Sequence, residues 1–137
     1  MQPLFDKLAA DGWTRQHLKG FLEHVGPLWC RKEGETIVEG LVIEVHHLNP
    51  RDTVHGGLLA TLVDRGYGHT IRTSEPGLDF ATIALNVQYL GAGRLGEFLT
   101  VRATIDRRTR DLIFLTARID CNGKTIATSS AIFKAFA

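Results

Sequence analysis

The sequence predicts an α+β fold in which a curved antiparallel sheet wraps around one long helix. That helix is predicted from Gly56 to about Arg72, because apolar residues recur there at spacings of three and four. From about residue 81 onward the pattern changes to strict alternation, which is typical of half-buried strands. Short turns join these strands, and Asn122-Gly123 is the clearest hairpin signal. One helix followed by a run of strands favours α+β.

The N-terminal part of the chain is predicted to be a helical lid, residues 1–25, on a single domain of residues 1–137. Residues 4–25 contain two short apolar stripes separated near Gly12, and Thr14 is a candidate N-cap for the second helix. A lid that packs on the main body is favoured over a segment that binds a partner.

Six strands are predicted around the helix. They cover residues 28–32, 36–45, 81–90, 99–105, 112–119 and 124–135. Gly40 interrupts the second strand, where a bulge is possible. In the third strand, alternation predicts that Ile83, Leu85 and Tyr89 share one face while Thr82 lies on the other.

Composition argues against several function classes. Sixteen basic and fifteen acidic residues give a net charge of +1, which argues against binding to nucleic acid or to an anionic membrane surface. No apolar run approaches the ~20 residues that span a bilayer. The first residues lack the basic and apolar regions of a secretion signal, so we expect a cytoplasmic protein in which Cys30 and Cys121 are free thiols.

The long helix contains one residue that calls for a functional explanation. Gly56 and Gly57 open the helix, and Asp64 shares a face with Gly57 and Gly68. A carboxylate on an enclosed helix is unfavourable unless it is paired, hydrated or used in chemistry. The small residues around Asp64 leave space for another molecule, so this face is the candidate site.

The same stretch resembles a known family. His55-Gly56-Gly57, six residues and Asp64 resemble the HGG-x(6)-Asp signature of hotdog-fold acyl-CoA thioesterases of the phenylacetate-pathway and "thioesterase superfamily member" type. The resemblance extends over about residues 35–133, with Asn49 upstream, the strand 81–90, and Leu95-Gly96-Glu97 after it. It implies a hotdog fold and hydrolysis of an acyl-CoA thioester. An aryl, phenylacetyl or medium-chain acyl group could occupy a pocket lined by Leu59, Val63, Tyr67 and Leu90, although these residues could also belong to the core.

The start of the helix suits the chemistry of acyl transfer. Unpaired N–H groups at a helix N-terminus can stabilise the oxyanion that develops on a thioester carbonyl. Gly56 N–H is the candidate donor, since the resembling enzymes use the amide that follows the motif histidine. Asp64 is the reactive carboxylate. Two roles for it stay open, attack on the carbonyl to form a mixed anhydride and removal of a proton from the attacking water.

Spacing along the helix predicts a dimer. Gly56 and Asp64 are eight residues apart, which is about 12 Å at ~1.5 Å per residue. One thioester carbonyl cannot touch both groups of the same helix, so a second copy must supply one of them. A two-fold homodimer with antiparallel helices creates two such sites. A homotetramer built as a dimer of dimers is the alternative.

The resemblance implies further roles within this dimer. It places Asn49, His55 and Gly56 of one subunit beside Asp64 and Thr82 of the other. For Asn49 the alternative is a turn cap before the helix, and for Thr82 it is an ordinary strand threonine. For His55 we favour a structural role, in which the ring fixes the loop that presents Gly56, over a catalytic base.

Four arginines are candidates for substrate binding. Arg94, Arg107 and Arg108 are candidates for the phosphates of coenzyme A, because Arg suits phosphate geometry, although a solvated hairpin tip is the plainer interpretation of residues 106–111. Arg65 stands next to Asp64 and could recognise a carboxylated acyl chain or point outward. Gly57 and Gly68 would line the substrate space.

We expect no cofactor, since coenzyme A is part of the substrate, and no metal, because the histidine spacing fits no familiar ligand pattern. Two other functions compete with the thioesterase. A hotdog dehydratase or hydratase typically shows Pro-Gly rather than His-Gly-Gly at the helix entry. A non-catalytic acyl-CoA-binding protein would have little use for Asp64.

Overall fold

The computed structural model describes residues 1–136, so the final residue of the predicted domain, Ala137, lies outside the described residues. The helices are α1 (Gln2–Ala10), α2 (Phe21–Val25) and α3 (Gly56–Ser74), and a short 3-10 turn covers Val45–His47. The strands are β1 (Thr14–Arg15), β2 (Leu28–Glu33), β3 (Thr36–Val42), β4 (Asp79–Tyr89), β5 (Phe98–Arg108), β6 (Leu112–Cys121) and β7 (Lys124–Phe136).

All seven strands form one antiparallel sheet in the order β1-β2-β3-β5-β6-β7-β4. The predicted α+β architecture is therefore confirmed. Asn122 and Gly123 both have positive φ (51° and 77°), as a tight hairpin turn between β6 and β7 requires. The strand that follows α3 in the chain, β4, is an edge of the sheet and pairs only with β7.

The main core lies between α3 and one face of the sheet. The buried face of α3 carries aliphatic residues and Tyr67, whose hydroxyl donates to Ser129 Oγ at 2.8 Å. Gly66 lets the helix approach β5, since a Cβ there would stand 2.9 Å from Val101 Cγ1. Leu59, Val63 and Tyr67 all belong to this core and are at most 2% exposed. They support the helix and are not available as walls of an acyl pocket.

A second, smaller core lies on the opposite face of the sheet. Leu8 of α1 packs there with Trp13, Trp29, Val38 and Val42. Alternation along β3 turns Val38 and Val42 toward α1, whereas Leu41 points into the main core. The prediction that residues 1–25 form one lid is wrong in this respect, because α1 covers the face of the sheet that α3 does not.

The predicted second helix is much shorter than expected. Thr14 does not cap a helix; it pairs with Cys30 in the β1–β2 ladder. Only Phe21–Val25 is helical in this region, and Val25 reaches the main core. Of the apolar stripe Leu18, Phe21, Leu22 and Val25, Val25 is buried and Phe21 is 67% exposed, and the backbone before Phe21 is not helical.

Two strand details also differ from the sequence prediction. Gly40 lies in unbroken register with β2 and β5, so no bulge occurs there. Its lack of a side chain is required because a Cβ would overlap the Phe98 ring. A register shift occurs instead between Thr82 and Ala84 in β4. It moves Thr82 onto the same side as Leu85, facing α3, and breaks the predicted alternation.

Cys30 and Cys121 are free thiols, as predicted. Among residues 1–136, no helix combines the length and the apolar character needed to cross a membrane.

Candidate active site

His55 caps the N-terminus of α3. Its Nδ1 accepts a hydrogen bond from Gly57 N–H at 2.8 Å, and its backbone N–H donates to His47 O at 2.8 Å. These contacts fix the entry to the helix and consume one of its unpaired donors. The contact with Gly57 is close, because a Cβ at that position would stand 3.0 Å from the imidazole nitrogen. This geometry agrees with a structural role for His55.

Gly56 presents the amide that sequence spacing identifies as an oxyanion donor. Within residues 1–136 its N–H donates to no acceptor, whereas its carbonyl accepts a hydrogen bond from Tyr89 Oη at 2.8 Å. The Tyr89 ring would stand 3.3 Å from a Cβ at Gly56, so glycine is the residue that fits here without adjustment. The N–H is therefore held in place by contacts to its neighbours while it remains free to bind another molecule.

Asn49 organises the loop that leads into the helix. Its Oδ1 accepts hydrogen bonds from the backbone N–H groups of Arg51 (2.9 Å) and Thr53 (3.2 Å), and its Nδ2 donates to Thr53 Oγ1 at 3.0 Å. These are the contacts of a turn-capping asparagine. Within one chain, Asn49 therefore serves the loop before α3.

Asp64 lies in a cleft formed by α3, α2 and β4. Thr82 Oγ1 donates to Asp64 Oδ1 at 2.7 Å, so the two residues that the sequence pairs are brought together. The cleft has a volume of about 160 Å³, and Gly68 forms part of its floor. Asp64 is half-buried rather than sealed, so the carboxylate is reachable from this cleft.

A separate groove lies at the other end of the same helix face. It has a volume of about 440 Å³ and is bounded by α2, the 3-10 turn and the first turns of α3. Its lining combines apolar side chains with polar groups of the helix entry, namely Phe21, Val25, Leu48, His55 and Thr61. The single chain therefore carries two half-sites, one at the free amide of Gly56 and one at the carboxylate of Asp64.

The comparison with known proteins decides the family. The family model of the thioesterase superfamily matches residues 52–127, which is more than half of the chain and includes both half-sites. The chain belongs to the thioesterase superfamily. This membership confirms the predicted hotdog fold and the predicted enzyme class, a thioester hydrolase.

Individual members of the superfamily match most of the chain. The Pseudomonas aeruginosa protein named "Putative esterase PA0474" is 33% identical over 114 residues, 82% of this chain and 85% of that protein. Human acyl-coenzyme A thioesterase 13 is 31% identical over 96 residues, 69% of this chain and 68% of that protein. The crystal structure of zebrafish thioesterase superfamily member 2 has a TM-score of 0.77 at 29% identity and covers 88% of both chains.

The guanidinium of Arg65 contacts other protein groups. Its Nη2 donates to Gln16 Oε1 at 2.6 Å, and its Nε lies 3.9 Å from Glu39 Oε2. Glu39 is 1% exposed and also contacts His69 Nδ1. Because Gln16 binds one guanidinium nitrogen and Glu39 lies near its charge, the contacts of Arg65 do not support the hypothesis that it recognises a substrate carboxylate.

The other candidate arginines do not lie together. Arg94 belongs to the loop whose Gly93 carbonyl accepts a hydrogen bond from Val54 N–H, so it lies near the N-terminal end of α3. Arg108 binds Glu75 just beyond the C-terminal end (Nε–Oε2 2.7 Å) and lowers the pKa of that carboxyl. A helix of 19 residues is about 28 Å long. One coenzyme A phosphate group therefore cannot contact both, and Arg107 is exposed at the hairpin tip together with Arg108 and Arg110.

The histidines serve the fold in the part of the chain that is described. His47 accepts a hydrogen bond from Glu44 N–H at 2.9 Å through Nδ1, and its Nε2–H donates to Val25 O at the end of α2. His46 Nε2 lies 3.1 Å from Gly26 O. No cluster of three or more potential metal-binding side chains occurs among residues 1–136.

Sequence reasoning missed three residues around the site. Tyr89, which positions Gly56, and Glu39, which holds Arg65, lie far from these partners in the chain, so no local pattern links them. Arg72 stands eight residues after Asp64 and lines the same cleft. The one signal that could have identified Arg72 is its spacing, because Asp64, Gly68 and Arg72 follow one another at intervals of four residues along the helix.

Proposed function

We propose that this protein hydrolyses acyl-CoA thioesters at a site shared by two subunits, with Gly56 N–H of one subunit and Asp64 of the other acting on one carbonyl. The observation that carries the proposal is the pair of half-sites on α3, an amide without an acceptor among residues 1–136 and a reachable carboxylate that accepts from Thr82. The name of the human relative, an acyl-coenzyme A thioesterase, supports the same substrate class.

The amide of Gly56 would stabilise the transition state. As a nucleophile adds to the thioester carbonyl, negative charge develops on the carbonyl oxygen, and a helix N-terminus favours that charge. The His55 ring accepts a hydrogen bond from Gly57 N–H, and Tyr89 donates to the carbonyl of Gly56. These contacts orient the Gly56 N–H before substrate binds. Such preorganisation is what makes a single donor effective.

Asp64 would provide the nucleophile or the base. In the first case Oδ2 adds to the carbonyl carbon, the C–S bond breaks to release the coenzyme A thiolate, and water then hydrolyses the mixed anhydride. In the second case Asp64 takes a proton from a water that adds to the carbonyl, and the thiolate leaves with a proton. Thr82 can donate to Asp64 and accept from that water at the same time.

The surface around the two half-sites suits a dimer. The side of α3 that faces away from the sheet carries small or short residues, Gly57, Ala60, Thr61 and Asp64, which would let a second helix approach closely. Ile83, Tyr89 and Leu90, on or directly after the edge strand β4, are 55%, 54% and 62% exposed. Burial of these side chains against a second copy would favour association.

The remaining parts of the proposal concern the ligand and the compartment. Of the three candidate arginines, we assign Arg94 and Arg107 to the coenzyme A phosphates, because Arg108 is bound to Glu75. An aryl, phenylacetyl or medium-chain acyl group would enter the groove or the cleft beside α3. No further cofactor takes part in either chemical route, and we expect the reaction in the cytoplasm.

The test uses two variants that each remove one half-site. Asp64→Asn keeps the acceptor for Thr82 but removes the charge, and we expect kcat to fall by about 10²–10⁴-fold. Gly56→Pro removes the N–H at the first helical position, where proline suits the backbone, and we expect a loss of about 10²–10³-fold. Gly56→Ala is the matched control, because it adds a Cβ near Tyr89 but keeps the N–H.

Mixing the two variants tests whether the site is shared. Heterodimers of Asp64→Asn and Gly56→Pro subunits, isolated with two affinity tags, contain one intact shared site, so we expect about half of the wild-type activity. If the heterodimer is as inactive as its parents, the two groups do not act across subunits. If thiol release by Asp64→Asn equals that of the wild type, Asp64 is not the reactive carboxylate.

A further inference from the structure

The cleft beside Asp64 combines apolar walls with a cationic end. Leu22, Phe80, Ala81 and Phe133 supply its apolar surface, and Arg72 lies at the end away from the start of α3. Its volume is about 160 Å³. A chain that enters this cleft therefore runs along an apolar surface toward a cation.

The guanidinium of Arg72 is held in the cleft by contacts that leave its donors free. Its Cζ lies 5.1 Å from the centroid of the Phe80 ring, a cation–π contact that orients the planar group. Its Nη1 would stand 3.6 Å from a Cβ at Gly68, so the group lies close to the helix at the level of that glycine. No carboxylate or carbonyl among residues 1–136 accepts a hydrogen bond from it. In this respect it differs from Arg65, whose guanidinium binds Gln16.

The distance between Asp64 and Arg72 sets the length of an acyl chain that can reach from one to the other. Gly68 follows Asp64 by four residues, which is about 6 Å along the helix. A saturated chain spans that distance with about four or five carbon–carbon bonds of ~1.5 Å laid in a zigzag. A thioester carbonyl at Asp64 therefore places the far end of a five- or six-carbon acyl chain at Arg72.

From this geometry we propose that the cleft selects short dicarboxylic acyl groups, such as glutaryl or adipyl, whose distal carboxylate binds Arg72. The inference rests on the proposed function, since it specifies the acyl group of that reaction. Arg binds a carboxylate through two parallel N–H···O bonds, which fixes both the charge and the orientation of the chain end. The same carboxylate would be repelled by Asp64, so the chain must extend away from it toward Arg72.

The selection is tested with matched pairs of acyl-CoAs that differ only in the end group. Pentanoyl-CoA is compared with glutaryl-CoA, and hexanoyl-CoA with adipyl-CoA, by thiol release from the full-length wild-type protein. We expect kcat/KM to be about tenfold or more higher for the dicarboxylic member of each pair, as a hydrogen bond to a charged group provides. Succinyl-CoA, whose chain is too short to reach Arg72, should gain less from its carboxylate.

Substitution of Arg72 separates recognition from folding. Arg72→Met keeps the packing on Phe80, and we expect kcat/KM for the two members of each pair to become equal within about twofold in this variant. Arg72→Lys keeps the charge without the paired donors and should retain part of the advantage. Arg118→Gln is the control, because Arg118 contacts Asp120 on the sheet face away from α3.

Each outcome is decisive. Equal kcat/KM for the two members of each pair in the wild type overturns the inference even if no Arg72 variant folds, and hydrolysis of the neutral members then leaves the proposed function standing. A dicarboxylic preference that survives in Arg72→Met also overturns it, because another group would be responsible. No thiol release from any of these substrates or from longer and aromatic acyl-CoAs would instead contradict the proposed function itself.

Discussion

The carboxylates of Glu39 and Asp64 both lie at α3, one on the neighbouring strand β3 and one on the helix itself, and their surroundings differ. Glu39 on β3 is 1% exposed and every contact it makes is with the protein. Gln16 Nε2 donates to its Oε2 at 2.6 Å, His69 Nδ1 contacts its Oε1, and Arg65 lies 3.9 Å away. The charge is therefore buried but compensated from three sides, which is the condition under which a buried carboxylate is tolerated.

Among residues 1–136, the side chain of Asp64 on α3 has one hydrogen-bond partner, the hydroxyl of Thr82. It is half-buried, faces a cleft with space for a ligand, and its nearest cationic neighbour on the helix is occupied by Glu39. The difference indicates how this fold separates stability from chemistry. A carboxylate with protein partners on both oxygens stabilises the packing of elements. A carboxylate with a protein partner on one oxygen alone can act on another molecule.

The largest effect that tests this comparison concerns stability. Glu39→Gln removes one partner of a buried ionic network and leaves Arg65 without its counter-charge, so we expect the free energy of unfolding to fall by about 3–5 kcal/mol. Asp64→Asn should change it by less than about 0.5 kcal/mol, because the side chain is partly exposed and Asn can still accept from Thr82. Urea unfolding followed by circular dichroism measures both.

The matched control for this pair is Glu35→Gln, which alters an exposed carboxylate in the β2–β3 turn and should lie within about 0.5 kcal/mol of the wild type. Folded Glu39→Gln protein should keep thioesterase activity, since Glu39 does not itself line the Asp64 cleft and reaches it only through Arg65. Equal losses of stability in Glu39→Gln and Asp64→Asn would contradict the proposal that Glu39 serves stability and Asp64 serves catalysis.

The same contrast explains what could be predicted from the sequence. The relation between His55, Gly56 and Asp64 is fixed by positions along one helix, so spacing alone predicts it. The partners of Glu39 come from positions 23 residues before it and 30 residues after it, and a single sequence carries no signal for such pairings. The sequence left Arg65 either to a substrate carboxylate or to solvent, and it carried no signal for the contact with Glu39.

Local irregularities account for the other differences. The alternation of β4 predicted Thr82 on the face opposite Leu85, but the bulge between Thr82 and Ala84 turns both toward α3. In the N-terminal region, Thr14 had the character of a helix cap, and pairing with β2 determined its conformation instead. Tertiary contacts outweighed local preference at both places.

A smaller effect tests whether Asp64 depends on its one contact. Thr82→Val keeps the β-branched shape but removes the hydroxyl, and we expect kcat to fall by about 5–10-fold, which is about 1 kcal/mol. The free energy of unfolding should change little, because Thr82 lies on an exposed edge strand. Thr82→Ser retains the hydroxyl and should restore most of the activity. An unchanged kcat in Thr82→Val would show that Asp64 needs no partner.

The last expected effect extends the comparison to histidines and to pH. His47 resembles Glu39, because hydrogen bonds to the protein occupy both of its ring nitrogens. Burial lowers the pKa of His47 from the usual value of 6.5. As pH falls below that value, the unfolded chain takes up a proton on this residue more readily than the folded protein does. The contribution of His47 to stability is therefore fully present above the unfolded pKa and is lost as pH falls.

Unfolding free energies measured at pH 7.5, 6.5 and 5.5 test this expectation. The wild type should lose stability between pH 6.5 and 5.5, and His47→Gln, which cannot take up a proton, should lose less over the same interval although it begins from a lower value. His17→Gln removes an exposed histidine and should keep the wild-type dependence. If His47→Gln loses as much stability as the wild type over this interval, burial of His47 is not the source of the pH dependence.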